Sequence, residues 1–145
     1  MMKIFKAEQW NLPLLLPLFE QYRTQQGMPA NPERTLTFLN NRIRFSESIL
    51  FIALDPQHNA QGFIQLYPRL SSLQLQRYWQ LTDIFVQDCP NKLQIYTALI
   101  EKAKEFVCYT QSHFLVVEQN QQHRQLWEAE GFKINHKKAV FELRL

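Results

Sequence analysis

Thirty residues, Tyr78 to Val107, do most to limit what this chain can become. Tyr78-Trp79-Gln80-Leu81-Thr82-Asp83-Ile84-Phe85-Val86 reads as a strand, because aromatic and β-branched residues dominate and neither glycine nor proline interrupts it. A turn at Gln87-Asp88-Cys89-Pro90 follows, and a helical pattern begins at Asn91. Its apolar residues Ile95, Tyr96, Leu99, Ile100, Ala103, Phe106 and Val107 fall at helical spacing, with Glu101, Lys102, Lys104 and Glu105 on the opposite face. A strand that feeds a helix through so short a turn aims unpaired backbone N–H groups past the strand end, and such a corner favours an anion.

At 145 residues the chain is read as one domain over 1–145, long enough to bury roughly 70% of its unfolded surface. No apolar run approaches bilayer length, and the start Met1-Met2-Lys3-Ile4-Phe5-Lys6 lacks a signal-peptide core, so no membrane and a cytoplasmic location are expected. Cys89 and Cys108 have no metal-type spacing and read as reduced thiols. His58, His113, His123 and His136 are too dispersed for a metal site, and most are expected to be solvated. With 16 basic and 13 acidic side chains, the positive charge is scattered rather than striped, which argues against nucleic acid and suits a small anionic ligand.

The rest of the chain arranges elements around the central corner. Lys3 to Ala7 is a short first strand near an edge. Asn11 is a plausible N-cap for a helix carrying Leu14, Leu15, Leu18, Phe19 and Tyr22; Pro13 suits its first turn, Pro17 predicts a kink or a delayed start, and Gln25-Gln26-Gly27 ends it. Asn31-Pro32-Glu33 opens a second helix that stops near Ser46. Ile49 to Leu54 is apolar on both faces and predicts a strand covered on both sides. Phe63 to Tyr67 makes the next strand, which Pro68 stops. After the central strand and helix come a short strand over Phe114–Val117, a last helix from an Asn120 cap to Gly131, and an alternating strand from Ala139 to Leu145 that is exposed enough to pair with a copy of itself. The order β-α-α-β-β-β-α-β-α-β predicts an α+β fold: a mixed, mostly antiparallel sheet with helices on both faces.

This order resembles the GNAT N-acetyltransferase family, and the likeness covers nearly the whole chain, nearest to small single-domain members similar to histone and polyamine acetyltransferases. Three stretches carry it: Leu18-Phe19-Glu20-Gln21-Tyr22-Arg23, Leu66-Tyr67-Pro68 through Leu81-Thr82-Asp83-Ile84-Phe85-Val86, and Asn120 to Gly131-Phe132 with Leu126-Trp127-Glu128 between. The resemblance implies acetyl-CoA as cofactor, its pantetheine arm along Ile84, Phe85 and Val86 and against Asn120, and its pyrophosphate on the backbone of Asn91, Lys92, Leu93, Gln94, Ile95 and Tyr96. The family pattern there is Gln/Arg-x-x-Gly-x-Gly/Ala. In this chain Gln94 and Tyr96 fill both glycine positions and Asn91 replaces the leading residue, so the tyrosine must either turn outward or take phosphate space. Lys92 can supply some of the missing charge complementarity. Many members place in the last helix a tyrosine that protonates the departing thiolate; Trp127 stands there, and an indole N–H donates a hydrogen bond but is no proton-transfer acid.

By the same resemblance Asp83 is the candidate base for a substrate amine, with Tyr22 and Arg23 lining the acceptor cleft and Tyr67 and Trp79 as an aromatic wall. Each has a plainer reading: an acid bonded to neighbouring backbone, a ring packed on the core beside a solvated arginine, strand aromatics buried in the interior. Tyr96 lies on the apolar stripe of its helix, with substitute proton donor as its sharper role. The expected function is acetyl transfer to a primary amine of a small molecule or peptide. The alternative is a GNAT-fold binding or regulatory protein with impaired catalysis, motivated by Gln94, Tyr96 and Trp127.

Overall fold

The computed structural model of the chain describes residues 2–118, 123–136 and 140–145. Its elements are β1 (Lys3–Lys6), a 3-10 turn (Gln9–Asn11), α1 (Leu12–Gln25), α2 (Pro32–Arg44), β2 (Ile49–Leu54), β3 (Ala60–Ser71), β4 (Gln76–Val86), α3 (Lys92–Tyr109), β5 (Leu115–Val117) and α4 (Arg124–Ala129). The five strands form one sheet in chain order, antiparallel throughout except for the parallel β4–β5 pair.

Alternation along the strands divides the core into two. Leu50, Ile52, Leu54, Phe63 and Phe85 face α1 and α2, where they meet Leu12, Leu15, Leu18, Phe19 and Leu39. Phe51, Ala53, Ile64, Leu66, Trp79, Leu81, Ile84 and Val86 face α3 and meet Ile95, Leu99, Ile100, Ala103 and Val107. The uninterrupted apolar run of β2 is thus explained: both of its faces are covered, and five of its six residues are buried.

Local chemistry sets most boundaries. The Asn31 side chain accepts from the Arg34 N–H at 3.2 Å and caps α2, with Pro32 in the first turn. Gly27 and Gly131 close α1 and α4 at φ +88° and +93°, each with the paired N–H returns to the preceding turn that a left-handed glycine permits. Two expectations need correction. The helix starts at Leu12 and includes Pro17, so the delayed start is not observed. The strand expected to stop at Pro68 continues to Ser71. Pro68 sits opposite Trp79, whose N–H points away to the Phe114 carbonyl at 3.1 Å; at such a position the partner strand asks for no N–H from proline, and β2 has already ended at the Ile49–Leu66 pair.

The last helix, expected from Asn120, is described from Arg124, and Asn120 itself lies outside the described residues. The closing strand is a further correction: residues 140–145 form no strand, and Val140, Phe141, Leu143 and Leu145 are exposed. The sheet edge next in line, β5, pairs over only three residues, so it offers a returning segment few ladder bonds.

Candidate functional site

One irregularity of β4 builds the site. Opposite β3, Asp83 pairs with Gln65 and Leu81 with Leu66, which leaves Thr82 as an extra residue. That bulge reverses the alternation. Trp79 and Leu81 face α3, as do Ile84 and Val86, while Asp83 is turned to the α1–α2 face, where its carboxylate meets the buried Gln65. Without the bulge Asp83 would point into the apolar core beneath α3.

Three donors fix the carboxylate. The Tyr22 hydroxyl donates to Oδ1 at 2.7 Å, and Gln65 Nε2 and Thr82 Oγ1 donate to Oδ2 at 2.9 and 2.7 Å. Gln65 is itself oriented by the Ser48 hydroxyl, which donates to its Oε1 at 2.9 Å. Burial, and then the Asp83 charge beside it, push the Tyr22 phenol well above its ordinary range, so it stays a donor. The Tyr22 ring contacts Phe19, Phe63 and Phe85 edge-on or tilted, with centroids 5.4 to 5.8 Å away. Burial and the same carboxylate raise Tyr67 to about 12.

Asp83, Tyr22, Arg23 and Tyr67 line one cleft of about 480 Å³ between α1, α2 and the β3–β4 pair. The Tyr22 ring packs on the core while its hydroxyl, bonded to Asp83, lines the cleft. Arg23 donates to Glu20 Oε2 at 2.9 Å and to the Pro29 carbonyl at 3.0 Å. Trp79 is a correction. It is buried on the α3 face against Phe106, with its indole N–H donated to Thr110 Oγ1 at 3.0 Å, so it forms no part of this cleft. Residue 67 and residue 79 read alike in sequence as strand aromatics; the sheet separates them. Gln65 and Thr82 were missed because a polar residue in a strand reads as solvent-facing, and Ser48 because it lies in the connection before β2.

A second feature adjoins the first. β5 pairs with β4 from Trp79 to Leu81, so among the described residues Thr82 to Val86 have no strand neighbour on that side. The Gln87 N–H bonds to the Gln61 carbonyl on β3; by alternation the backbone groups of Val86 and Ile84 point the other way, into the open gap, while those of Phe85 pair with β3. Where the gap ends, α3 begins. Lys92 N–H bonds back to Cys89 and Ile95 N–H to Asn91, and among the described residues the N–H groups of Leu93 and Gln94 have no backbone acceptor. Leu93 and Gln94 carry their side chains outward.

Tyr96 neither turns outward nor takes phosphate space, and it packs in the core as its place on the apolar stripe of α3 implies. Its ring turns inward to the α3-side core, 7% exposed, and its hydroxyl reaches the Val86 backbone. Burial raises its phenol above the ordinary value, against a smaller opposite pull from the Val86 bond. His123 lies between Tyr96 and Trp127, with ring centroids 5.1 and 6.2 Å away, and is half-buried rather than solvated. Burial, then the Lys92 charge, lower its pKa. Trp127 is buried, and its indole N–H has no hydrogen-bond partner among the described residues. Such an orphan donor beside an open strand edge and two free helix N–H groups suits a ligand rich in carbonyl and phosphate oxygens.

Cys89 and Cys108 are free thiols, and no group of metal-ligating side chains occurs among the described residues. No helix among them is long and apolar enough to cross a membrane.

No family profile matches the chain. A probable acetyltransferase of Haemophilus influenzae is 60% identical over 144 residues, covering 99% of each chain. The crystal structure of a probable acetyltransferase superposes with a TM-score of 0.91 at 33% identity, over 99% of this chain and 97% of that one. A predicted acetyltransferase from Clostridium acetobutylicum, crystallised with acetyl-CoA, shares the fold at a TM-score of 0.80 and 13% identity, over 98% and 96% of the two chains. With a sheet that opens at β4, an anion-ready α3 and relatives this similar along their whole length, the chain belongs to the GNAT family of acetyl-CoA-dependent N-acetyltransferases.

Proposed function

We propose that this acetyltransferase moves an acetyl group from acetyl-CoA to a primary amine, of a small molecule or a peptide, held in the α1–α2 cleft. The observation that carries the reading is the junction at Thr82–Asp83. There the open edge of β4 begins at Thr82, and the next residue, Asp83, lines the acceptor cleft.

Acetyl-CoA supplies an activated thioester carbonyl, and the chain supplies the grip and the alignment. Backbone groups of Ile84 and Val86 offer a strand-like edge for the amide-bearing arm, and the free N–H groups of Leu93 and Gln94, with Lys92 nearby, suit the diphosphate. Because Tyr96 turns inward, the lack of glycine at positions 94 and 96 puts no side chain across that turn. Asp83 attracts the substrate ammonium to the cleft floor, where the cation gives one proton to solvent before it reacts. The neutral amine attacks the carbonyl carbon: a C–N bond forms, the C–S bond breaks, and the electron pair leaves on sulfur. The proton released from nitrogen passes to Asp83 directly or through water, and the backbone N–H of Ile84 holds the developing oxyanion, that of Val86 being donated to the Tyr96 hydroxyl. Tyr96, kept protonated by burial, presents a phenol at the same edge and is the candidate to return a proton to the thiolate.

The test is thermal stabilisation by acetyl-CoA, followed by thiol release with amines. Ligand at 100 times its dissociation constant should add about 2.7 kcal/mol of stability. An unchanged melting temperature in millimolar acetyl-CoA would sink the reading.

A further inference from the structure

We propose that the acceptor is a primary amine on an apolar body with a carboxylate at its far end, and that Arg34 selects for that carboxylate; this rests on the amine-acetylation reading above. The inference comes from the charges and surfaces of the cleft. Asp83 is the one acid among its lining residues, and Arg23 and Arg34 are the bases. Arg23 is already committed to Glu20 and the Pro29 carbonyl. The Arg34 guanidinium, in contrast, makes no hydrogen bond or ion pair among the described residues, although its backbone N–H is the group capped by Asn31.

Helix stability does not account for Arg34. It occupies the first turn of α2, where the helix dipole disfavours a cation. What it faces is a cleft whose mouth carries two large apolar side chains left in water, Met28 at 55% and Phe38 at 49% exposure. Phe38 is held in place from behind: the Arg42 guanidinium stacks on its ring at 4.3 Å and is itself paired with Glu47. A ligand that covers Phe38 and Met28 removes apolar surface from water. Placed with its amine at Asp83, it brings its other end toward Arg34.

The same charges reject a different class. A diamine or polyamine carries a second cation that finds no second carboxylate among the cleft-lining residues and meets Arg34 instead. A neutral arylalkylamine gains the apolar contact but leaves Arg34 unpaired. The cleft is therefore polarised, anionic at the floor and cationic at the rim, and matches a zwitterion whose two charges stand at opposite ends.

Three benzylamines with one body test this: 4-(aminomethyl)benzoate, benzylamine and 4-(aminomethyl)benzylamine. Each is titrated calorimetrically into wild type, Arg34→Gln and Arg34→Glu, and assayed for thiol release from acetyl-CoA. In wild type the benzoate should bind about tenfold more tightly than benzylamine, as expected for a charge-assisted bond near water, with the diamine weakest. Arg34→Gln should erase the advantage of the benzoate, and Arg34→Glu should reverse the order of benzoate and diamine. Equal binding of all three, an order that Arg34→Glu leaves intact, or no binding of any of them overturns the proposal. The two readings separate cleanly. Ranked binding without thiol release keeps the selectivity and removes acetyl transfer; equal thiol release with all three removes the selectivity and keeps acetyl transfer.

Discussion

Replacing Tyr22 by phenylalanine removes one oxygen from the centre of the site and leaves the ring where it is. The three aromatic contacts to Phe19, Phe63 and Phe85 survive, so the change isolates the 2.7 Å bond from the hydroxyl to Asp83 Oδ1. A hydrogen bond to a charged group contributes about 1.5–3 kcal/mol. Asp83 keeps Gln65 and Thr82 as donors and opens on a cleft from which water can replace the third, so we expect the lower part of that range, about 1.5–2 kcal/mol. In a domain of this size that is a fall of about 3 to 8 °C in Tm.

The pH dependence makes the test sharper. Because the phenol is raised in the folded chain, its contribution is fully present below its unfolded value of about 10 and is lost as pH rises beyond it. Above that point the unfolded chain releases the proton while the folded chain holds it, and wild type loses about 1.4 kcal/mol per pH unit that the variant does not lose. Urea unfolding of both proteins from pH 7 to 11 should show a constant gap up to about pH 10 that closes near pH 11. Other tyrosines and lysines titrate equally in both proteins and cancel. A variant as stable as wild type at pH 7, or a gap that stays flat to pH 11, would refute the account of Asp83.

Two further expectations bear on the gap side. A Cβ added at Gly62 would lie 2.9 Å from the Phe85 carbonyl, 3.0 Å from Val86 Cγ2 and 3.3 Å from Leu99 Cδ1, so Gly62→Ala must push β4 off β3. We expect a loss of about 1–3 kcal/mol in urea unfolding together with weaker acetyl-CoA binding, and a variant as stable as wild type contradicts the close approach. His123 has a lowered pKa in the fold, so folding favours the neutral ring. Wild type should lose stability as pH falls below about 6.5, and His123→Phe should not; parallel acid profiles for the two would place His123 in water.

How far the chain could be read from its residues differs from segment to segment. The covered strand at Ile49–Leu54, the caps at Asn31, Gly27 and Gly131, and the strand-turn-helix corner were all legible, because each depends on chemistry within a few residues. The segment from Ala139 was not, since alternation states that a strand is possible but not that an edge is available; among the described residues, 140–145 are exposed and form no strand. Pro68 misled for a related reason: a missing N–H matters only on the side where a neighbour asks for it, and that depends on register.

The sequence by itself determined the order of elements from β1 to α4, the doubly apolar run of β2 and the corner at Val86–Lys92. All of these follow from spacing of 2 or 3.6 residues and from capping and turn residues that act locally. Only the tertiary structure decided which groups share a site. An extra residue at Thr82 turns Asp83 to the face of Tyr22 and away from Trp79, the early end of β5 opens the β4 edge, and the inward turn of Tyr96 leaves the first turn of α3 clear. Those outcomes depend on pairing and packing between segments tens of residues apart, and no local pattern encodes them.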